Sequence, residues 1–115
     1  LVHEFLVEIA PPTVTVEVQD LTGGESAITP RDIPEMQAAA QAYAEGFGQR
    51  PIFVREGGSI PVVTHLQKIL GLNTILMGFG LPDDRLHSPN EKFHLPNFHR
   101  GIETVIHFWH LLADI

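Results

Sequence analysis

Apolar residues recur at helical spacing in four stretches of the sequence: residues 1–9, 32–48, 59–71 and 97–112. Pro11-Pro12 ends the first stretch, and glycines end the second and third. Asp32 and Glu35 have capping-box spacing at the start of the second, and Asn97 can cap the fourth. These patterns predict four helices. The predicted buried stripes are Met36, Ala40, Tyr43, Ala44 and Phe47 in the second helix, and Phe98, Ile102, Val105, Trp109 and Leu112 in the fourth.

Three other stretches predict β-strands. Residues 13–19 alternate valine with polar side chains, which is typical of a strand with one solvent-exposed face. Residues 52–54 form a short apolar run, and residues 74–79 are apolar on both faces, as in a strand buried in a parallel sheet. The order strand, helix, strand over residues 52–79 predicts a right-handed parallel βαβ unit. The chain is therefore expected to have an α/β fold.

Both strand ends of a parallel βαβ unit leave the sheet at one edge, where ligands bind in open α/β sheets. The turn Gly57-Gly58-Ser59 and the long loop of residues 80–96 should meet there. Backbone amides, a hydroxyl and the positive end of a helix at that turn favour a carboxylate or phosphate. The pattern also fits an ordinary turn that needs glycine for its backbone angles, and without a phosphate-loop lysine the residues alone favour this interpretation.

His87 lies in the long loop beside carboxylates and an amide, which together are ligands for zinc or a related divalent ion. A single histidine among acids is also typical of a solvated loop, and composition and position alone favour that alternative. His107 and His110 are three residues apart in the last helix, with His99 nearby. We expect them to be packed or surface histidines, because the helix offers no clear third ligand besides Glu103.

The composition limits the functions that are open to the chain. With 115 residues, of which 43% are hydrophobic, it can bury one modest core. A net charge of −7 argues against a nucleic-acid or anionic-membrane partner. There is no cysteine for a disulfide or a thiolate metal site, and no stretch of membrane-spanning length or secretory signal pattern. We expect a soluble, cytoplasmic protein. Because the chain opens without methionine inside an amphipathic pattern, we also expect a fragment, with a domain boundary in residues 21–30.

Three motifs point to a family: REGGSIPVV at residues 55–63, LMGFGLPDD at residues 76–84 and LHSPNEKF at residues 86–93. In this order and at these separations, they closely resemble the C-terminal third of the dizinc metallopeptidases. That family includes carnosine dipeptidases, aminoacylases, acetylornithine deacetylases and succinyl-diaminopimelate desuccinylases, and the resemblance is nearest the dipeptidase branch. It implies that residues 1–22 end a ferredoxin-like lid and dimerisation domain. Residues 23–115 would then be the C-terminal part of the catalytic domain, a parallel βαβ unit plus a terminal helix.

The resemblance also implies roles for single residues. His87 corresponds to the histidine that closes the two-zinc site, and Asn90 and Glu91 correspond to residues that support it. Gly58 and Ser59, with Gly57, correspond to the turn that meets the substrate backbone or carboxylate. His99 stands where relatives often have a tyrosine and receives no role. No catalytic acid or base of the family falls in this chain.

The implied activity is hydrolysis of amide bonds in small peptides or N-acyl amino acids by a water that two zinc ions activate, with Mn or Co as possible substitutes. The complete protein is expected to be a homodimer. This chain alone should be inactive, because the other metal ligands and the general base are missing. Unpaired strand edges should make it associate with itself. The alternative is a stand-alone α/β module that binds a carboxylate or dimerises without catalysis.

Overall fold

The computed structural model of the chain describes residues 1–21, 23–56 and 60–115. These residues form four α-helices and no β-strand. The helices are α1 (Val2–Glu8), α2 (Pro34–Phe47), α3 (Pro61–Leu70) and α4 (Leu95–Leu112). All four lie where the apolar periodicity predicts them, and none is long and apolar enough to cross a membrane.

Proline, rather than a polar cap, marks the start of the two long helices. α2 begins after Ile33 and α4 after His94, each with proline in its first turn and without a side-chain cap hydrogen bond. The caps predicted at Asp32 and Asn97 are therefore wrong. Proline suits a first turn because its fixed φ is helical and its missing N–H leaves no donor to satisfy. The predicted ends are confirmed, since Gly48 follows α2 and Gly71 follows α3, both in the left-handed conformation.

Within the described residues, α2 and α4 are the pair of helices that pack against each other. Their contact is built from small side chains, which allow two helix backbones to come close. A Cβ added to Gly46 would collide with the hydroxyl of Thr104. That hydroxyl donates a 2.8 Å hydrogen bond to the carbonyl of Arg100, so it is satisfied without water. The buried residues of the two helices are Ala38, Ala39, Ala40, Ala42, Gly101 and Thr104.

The predicted apolar seam of α4 is wrong for three of its five side chains, whereas Val105 and Leu112 are partly buried. Phe98, Ile102 and Trp109 are 51%, 46% and 66% exposed. The helix instead buries Thr104 against Gly46 of α2 and Gly101 against the ring of Phe79. The stripe predicted on α2 is closer to the structure, with Ala40 buried and the other four residues partly buried.

Residues 74–79 form no regular secondary structure, lie beside the α2–α4 pair and have no partner strand in the described chain. Side chains take the place of a sheet neighbour by donating hydrogen bonds to their carbonyls. The donors are Thr29 to Thr74 at 2.7 Å, Tyr43 to Gly78 at 2.7 Å, and Asn97 to Phe79 at 3.1 Å. Tertiary contacts, rather than a β-ladder, therefore position this segment.

The ring of Phe79 fixes the end of that segment. It lies 5.3 Å from the ring centroid of Tyr43 and 6.0 Å from that of Phe47, within the range of favourable aromatic pairs. A Cβ on Gly101 would come within 3.1 Å of it, so α4 approaches the ring through a residue without a side chain. Phe79 is thus enclosed between α2 and α4.

The other two predicted strands, residues 13–19 and 52–54, are also unpaired within the described residues. A strand needs a neighbour whose backbone groups complete its hydrogen bonds, and this part of the chain supplies none. The predicted parallel βαβ unit is therefore absent from the described residues, and α3 packs on a connector instead of a sheet. Thr64 of α3 donates a 2.9 Å hydrogen bond to the carbonyl of Glu25, and Lys68 forms an ion pair with the carboxylate of Glu25.

We predict that Gly46→Ala destabilises the chain. The added methyl group meets Thr104 and should cost about 1–3 kcal/mol of unfolding free energy, reduced by about 1 kcal/mol through the higher helix propensity of alanine. Denaturant unfolding followed by circular dichroism measures the difference. Gly23→Ala is the control, because no atom lies within 4 Å of a Cβ there. Equal midpoints for both variants would show that the helices cross less closely than described.

Tyr43 gives a second prediction, because it is the one tyrosine of the chain and its ionisation can be followed by absorbance. Burial raises the pKa of Tyr43 from 10.0 to about 12. The unfolded chain therefore loses the Tyr43 proton at a lower pH than the folded chain does. The contribution of Tyr43 to the free energy of unfolding is present below about pH 10 and disappears as the pH rises through about 12. In Tyr43→Phe, the free energy of unfolding should fall less steeply between about pH 10 and about pH 12. A native titration midpoint near 10 would contradict the described burial.

Candidate metal-binding loop

His87 lies in the loop that joins residues 74–79 to α4. Its side chain is exposed, and no hydrogen bond between described residues involves its imidazole. Its φ of 58° places the backbone in the left-handed region, which histidine tolerates better than most residues with a Cβ. The loop thus presents an imidazole that is accessible to a ligand.

The backbone around His87 is tightly turned. Arg85 and Asn90 also have left-handed φ angles, of 56° and 60°. Each such residue costs about 1–2 kcal/mol relative to an ordinary conformation. Ser88 helps to close the turn, since its backbone N–H and its hydroxyl both donate to the carbonyl of Arg85, at 3.1 and 2.6 Å. The loop therefore has a specific, strained shape.

Asp84 anchors this loop and is only 1% exposed. Its Oδ2 accepts a 2.6 Å hydrogen bond from the N–H of Leu81, and its carbonyl accepts a 3.0 Å hydrogen bond from the N–H of Lys92. The sequence places Asp84 among the carboxylates near His87 but does not indicate that it is buried. The Pro-Asp-Asp sequence is the available signal, because aspartate after proline commonly bonds to nearby backbone in turns.

Lys92 pairs with both aspartates of the loop. Its Nζ lies 2.8 Å from Oδ2 of Asp83 and 3.5 Å from Oδ1 of Asp84. The hydrogen bond from the ammonium lowers the pKa of the Asp83 carboxyl and raises the pKa of Lys92. Because Asp83 is exposed, that pair should contribute little to stability. The buried partner, Asp84, has the larger structural effect.

The other predicted site residues fall into two groups. Asn90 and Glu91 lie in the same loop, exposed, and neither hydrogen-bonds to His87 within the described part of the chain. Gly57, Gly58 and Ser59 lie outside the described residues. The predicted meeting of that turn with the His87 loop remains a prediction.

The described residues do not assemble a metal site by themselves. No group of three or more histidine, cysteine, aspartate or glutamate side chains comes together among them in a way that could hold an ion. Protein zinc sites usually have three or four such ligands. His87 therefore fits a metal as one contributed ligand, and further ligands would have to come from outside the described residues.

Two of the remaining histidines have structural partners. His107 Nδ1 lies 2.8 Å from Oε2 of Glu45 and links α4 to α2, while His94 Nδ1 lies 3.1 Å from Oδ1 of Asn97 at the start of α4. His99 packs edge-on against the ring of Phe98, with centroids 5.6 Å apart. These contacts support the expectation that the histidines of the last helix are packed or surface residues.

Comparison with known proteins identifies the class as a peptidase. Residues 3–110 match the Peptidase family M20/M25/M40, and the chain belongs to this family. The resemblance drawn from the three motifs is confirmed, including its dipeptidase branch, because the relatives below are named dipeptidases.

The chain is 45% identical over 69 residues to the Cys-Gly metallodipeptidase dug1 of Schizosaccharomyces pombe, covering 60% of this chain and 14% of that protein. It is 31% identical over 84 residues to the human Beta-Ala-His dipeptidase, covering 73% of this chain and 17% of the relative. A solved structure of the dipeptidase Dug1p from Saccharomyces cerevisiae superposes with a TM-score of 0.76 at 32% identity. That superposition covers 80% of this chain and 19% of the Dug1p chain. The chain thus spans less than a fifth of each of these proteins.

Proposed function

We propose that this chain is the C-terminal part of a metal-dependent dipeptidase and that His87 is its contribution to the metal centre. The observation that carries the proposal is the family match over residues 3–110, which includes the loop that presents His87. The exposed imidazole on a strained loop supports it, because unusual backbone conformations cluster at functional sites.

The substrates we propose are small peptides, with dipeptides favoured over N-acyl amino acids. Support comes from the relatives, which are named as Cys-Gly and Beta-Ala-His dipeptidases. Two zinc ions per complete subunit, or Mn or Co in their place, would supply a bound water of lowered pKa and polarise the scissile carbonyl. His87 would provide one imidazole, with Asn90 and Glu91 supporting it. The general base and remaining ligands would lie outside this chain.

The finer architecture is also a proposal. Residues 1–22 would end a lid domain through which two subunits pair, and residues 23–115 would complete the catalytic domain. Residues 13–19, 52–54 and 74–79 would then join sheets whose other strands lie elsewhere in the protein. The many exposed apolar side chains near these segments, such as Ile52 at 88% and Leu76 at 65%, support this arrangement. The location we propose is the cytoplasm, and a chain without cysteine is compatible with that reducing compartment.

For His87, we predict that His87→Ala in the complete protein lowers dipeptide hydrolysis by more than about 100-fold, since losing even a residue that supports a metal ligand costs about 10–100-fold. Elemental analysis should show the loss of metal from one site. The fold should persist because the side chain is exposed. His65→Ala, at an exposed position on α3, is the matched control. Retained activity and metal content in His87→Ala would exclude the proposed role.

The isolated chain provides a further control for that experiment. It should bind zinc weakly in a calorimetric titration and should not hydrolyse dipeptides, because the described residues lack a ligand cluster. Tight stoichiometric zinc binding with turnover would mean that the site is self-contained. A complete protein that is active without metal would exclude the proposed metal-dependent mechanism.

We also propose that the turn Gly57-Gly58-Ser59 binds the substrate carboxylate. Ser59→Ala should raise KM by about 2- to 10-fold, the equivalent of one hydrogen bond, and lower kcat less, because the carboxylate is bound before and during the reaction. Steady-state kinetics on a dipeptide measures both constants. Ser26→Ala, in the exposed connector, is the control. An unchanged KM would favour an ordinary turn.

A further inference from the structure

We propose that Asp84 is a positioning residue, whose buried carboxylate and backbone carbonyl together hold the two ends of the His87 loop and so set the direction of the imidazole. This inference rests on the proposed role of His87 as a metal ligand. Asp84 is not itself expected to touch metal or substrate. It would act through the loop backbone.

The burial of Asp84 is the first argument. Of residues 80–94, Asp84 is the one that is buried, with 1% of its surface exposed. Aspartate is almost never fully buried without partners, since removing a carboxylate from water is unfavourable. Gly80 makes room for it, because a Cβ at that position would come within 3.2 Å of Oδ2 of Asp84. The local backbone is thus shaped around this side chain.

The contacts of Asp84 show what the burial achieves. Its side chain binds the N–H of Leu81 at 2.6 Å, and its carbonyl binds the N–H of Lys92 at 3.0 Å. These are the first and last residues of the segment that contains His87. One residue therefore closes the segment into a loop and fixes the separation of its ends.

The conformation between those ends needs such a constraint. His87 and two neighbours, Arg85 and Asn90, have left-handed backbones. Such conformations persist only when surrounding contacts determine them. If the ends separated, the backbone could relax to ordinary angles, and the imidazole would point elsewhere.

The second oxygen of Asp84 indicates that its charge matters. Oδ1 is buried and accepts no hydrogen bond within the described residues, but it lies 3.5 Å from the ammonium of Lys92. In Asp84→Asn, the amide can still accept from Leu81 with its oxygen. The NH₂ group of the asparagine side chain then faces the ammonium of Lys92, and the two donor groups repel each other. The substitution should loosen the Lys92 end while keeping the size of the side chain.

The test compares Asp84→Asn, Asp83→Asn and His87→Ala in the complete enzyme. Hydrogen–deuterium exchange of peptides covering residues 81–92 reports the loop, and competition with a chelator reports zinc affinity. Asp84→Asn should speed exchange at the Lys92 end of the loop, and it should weaken zinc affinity and lower kcat by about tenfold. KM should stay within about twofold, because the substrate contacts are elsewhere. Asp83→Asn removes an exposed partner of the same lysine and should change none of these values.

Each outcome decides between the two proposals. Faster exchange in Asp84→Asn with unchanged zinc affinity and kcat would show a purely local role and overturn the positioning inference. Unchanged exchange would overturn it as well. If Asp84→Asn leaves exchange, zinc affinity and kcat unchanged while His87→Ala loses zinc and activity, the proposed function stands without this inference. If His87→Ala retains both, the proposed function fails first, and the positioning inference fails with it.

Discussion

The close crossing of α2 and α4 is the contact on which the rest of the structure depends. Gly46 and Thr104 let the helix backbones meet, and Gly101 lets α4 lie against the ring of Phe79. Phe79 ends the segment of residues 74–79 and comes directly before the loop that carries His87. The crossing therefore determines where that loop starts. Because it is formed by glycine and threonine rather than by large apolar side chains, it allows little change in volume.

The surface around this crossing explains why a chain that is 43% hydrophobic has such a small core. The buried hydrophobic residues in the described part are alanines of α2 and one valine of α3. Large side chains such as Trp109 and Leu95 remain 66% and 67% exposed. Exposed apolar surface of this kind usually marks contact with other parts of a protein. It agrees with the proposal that strands and helices outside this chain complete the catalytic domain.

The candidate site shows two levels of organisation. In the proposed function, His87 supplies the chemistry, as an exposed imidazole of the kind that binds metal ions. Asp84 supplies the geometry, since it joins Leu81 to Lys92 across the loop. Burying a carboxylate with only one hydrogen-bonded oxygen does not by itself stabilise a fold. Its presence beside a strained backbone is consistent with a loop that is shaped for function.

The sequence alone determined the four helices, the glycines that end α2 and α3, and the family, and it singled out His87 as the candidate metal ligand. These depend on local periodicity, on backbone angles and on short motifs, which need no distant contact. The tertiary structure decided which face of α4 is buried, because Thr104 fits against Gly46 and Gly101 fits against the ring of Phe79. It also decided the burial of Asp84, which depends on Lys92 and Leu81 meeting in space. Residues 13–19, 52–54 and 74–79 have the pattern of strands, but a strand forms only where another backbone completes its hydrogen bonds, and the described residues do not provide one.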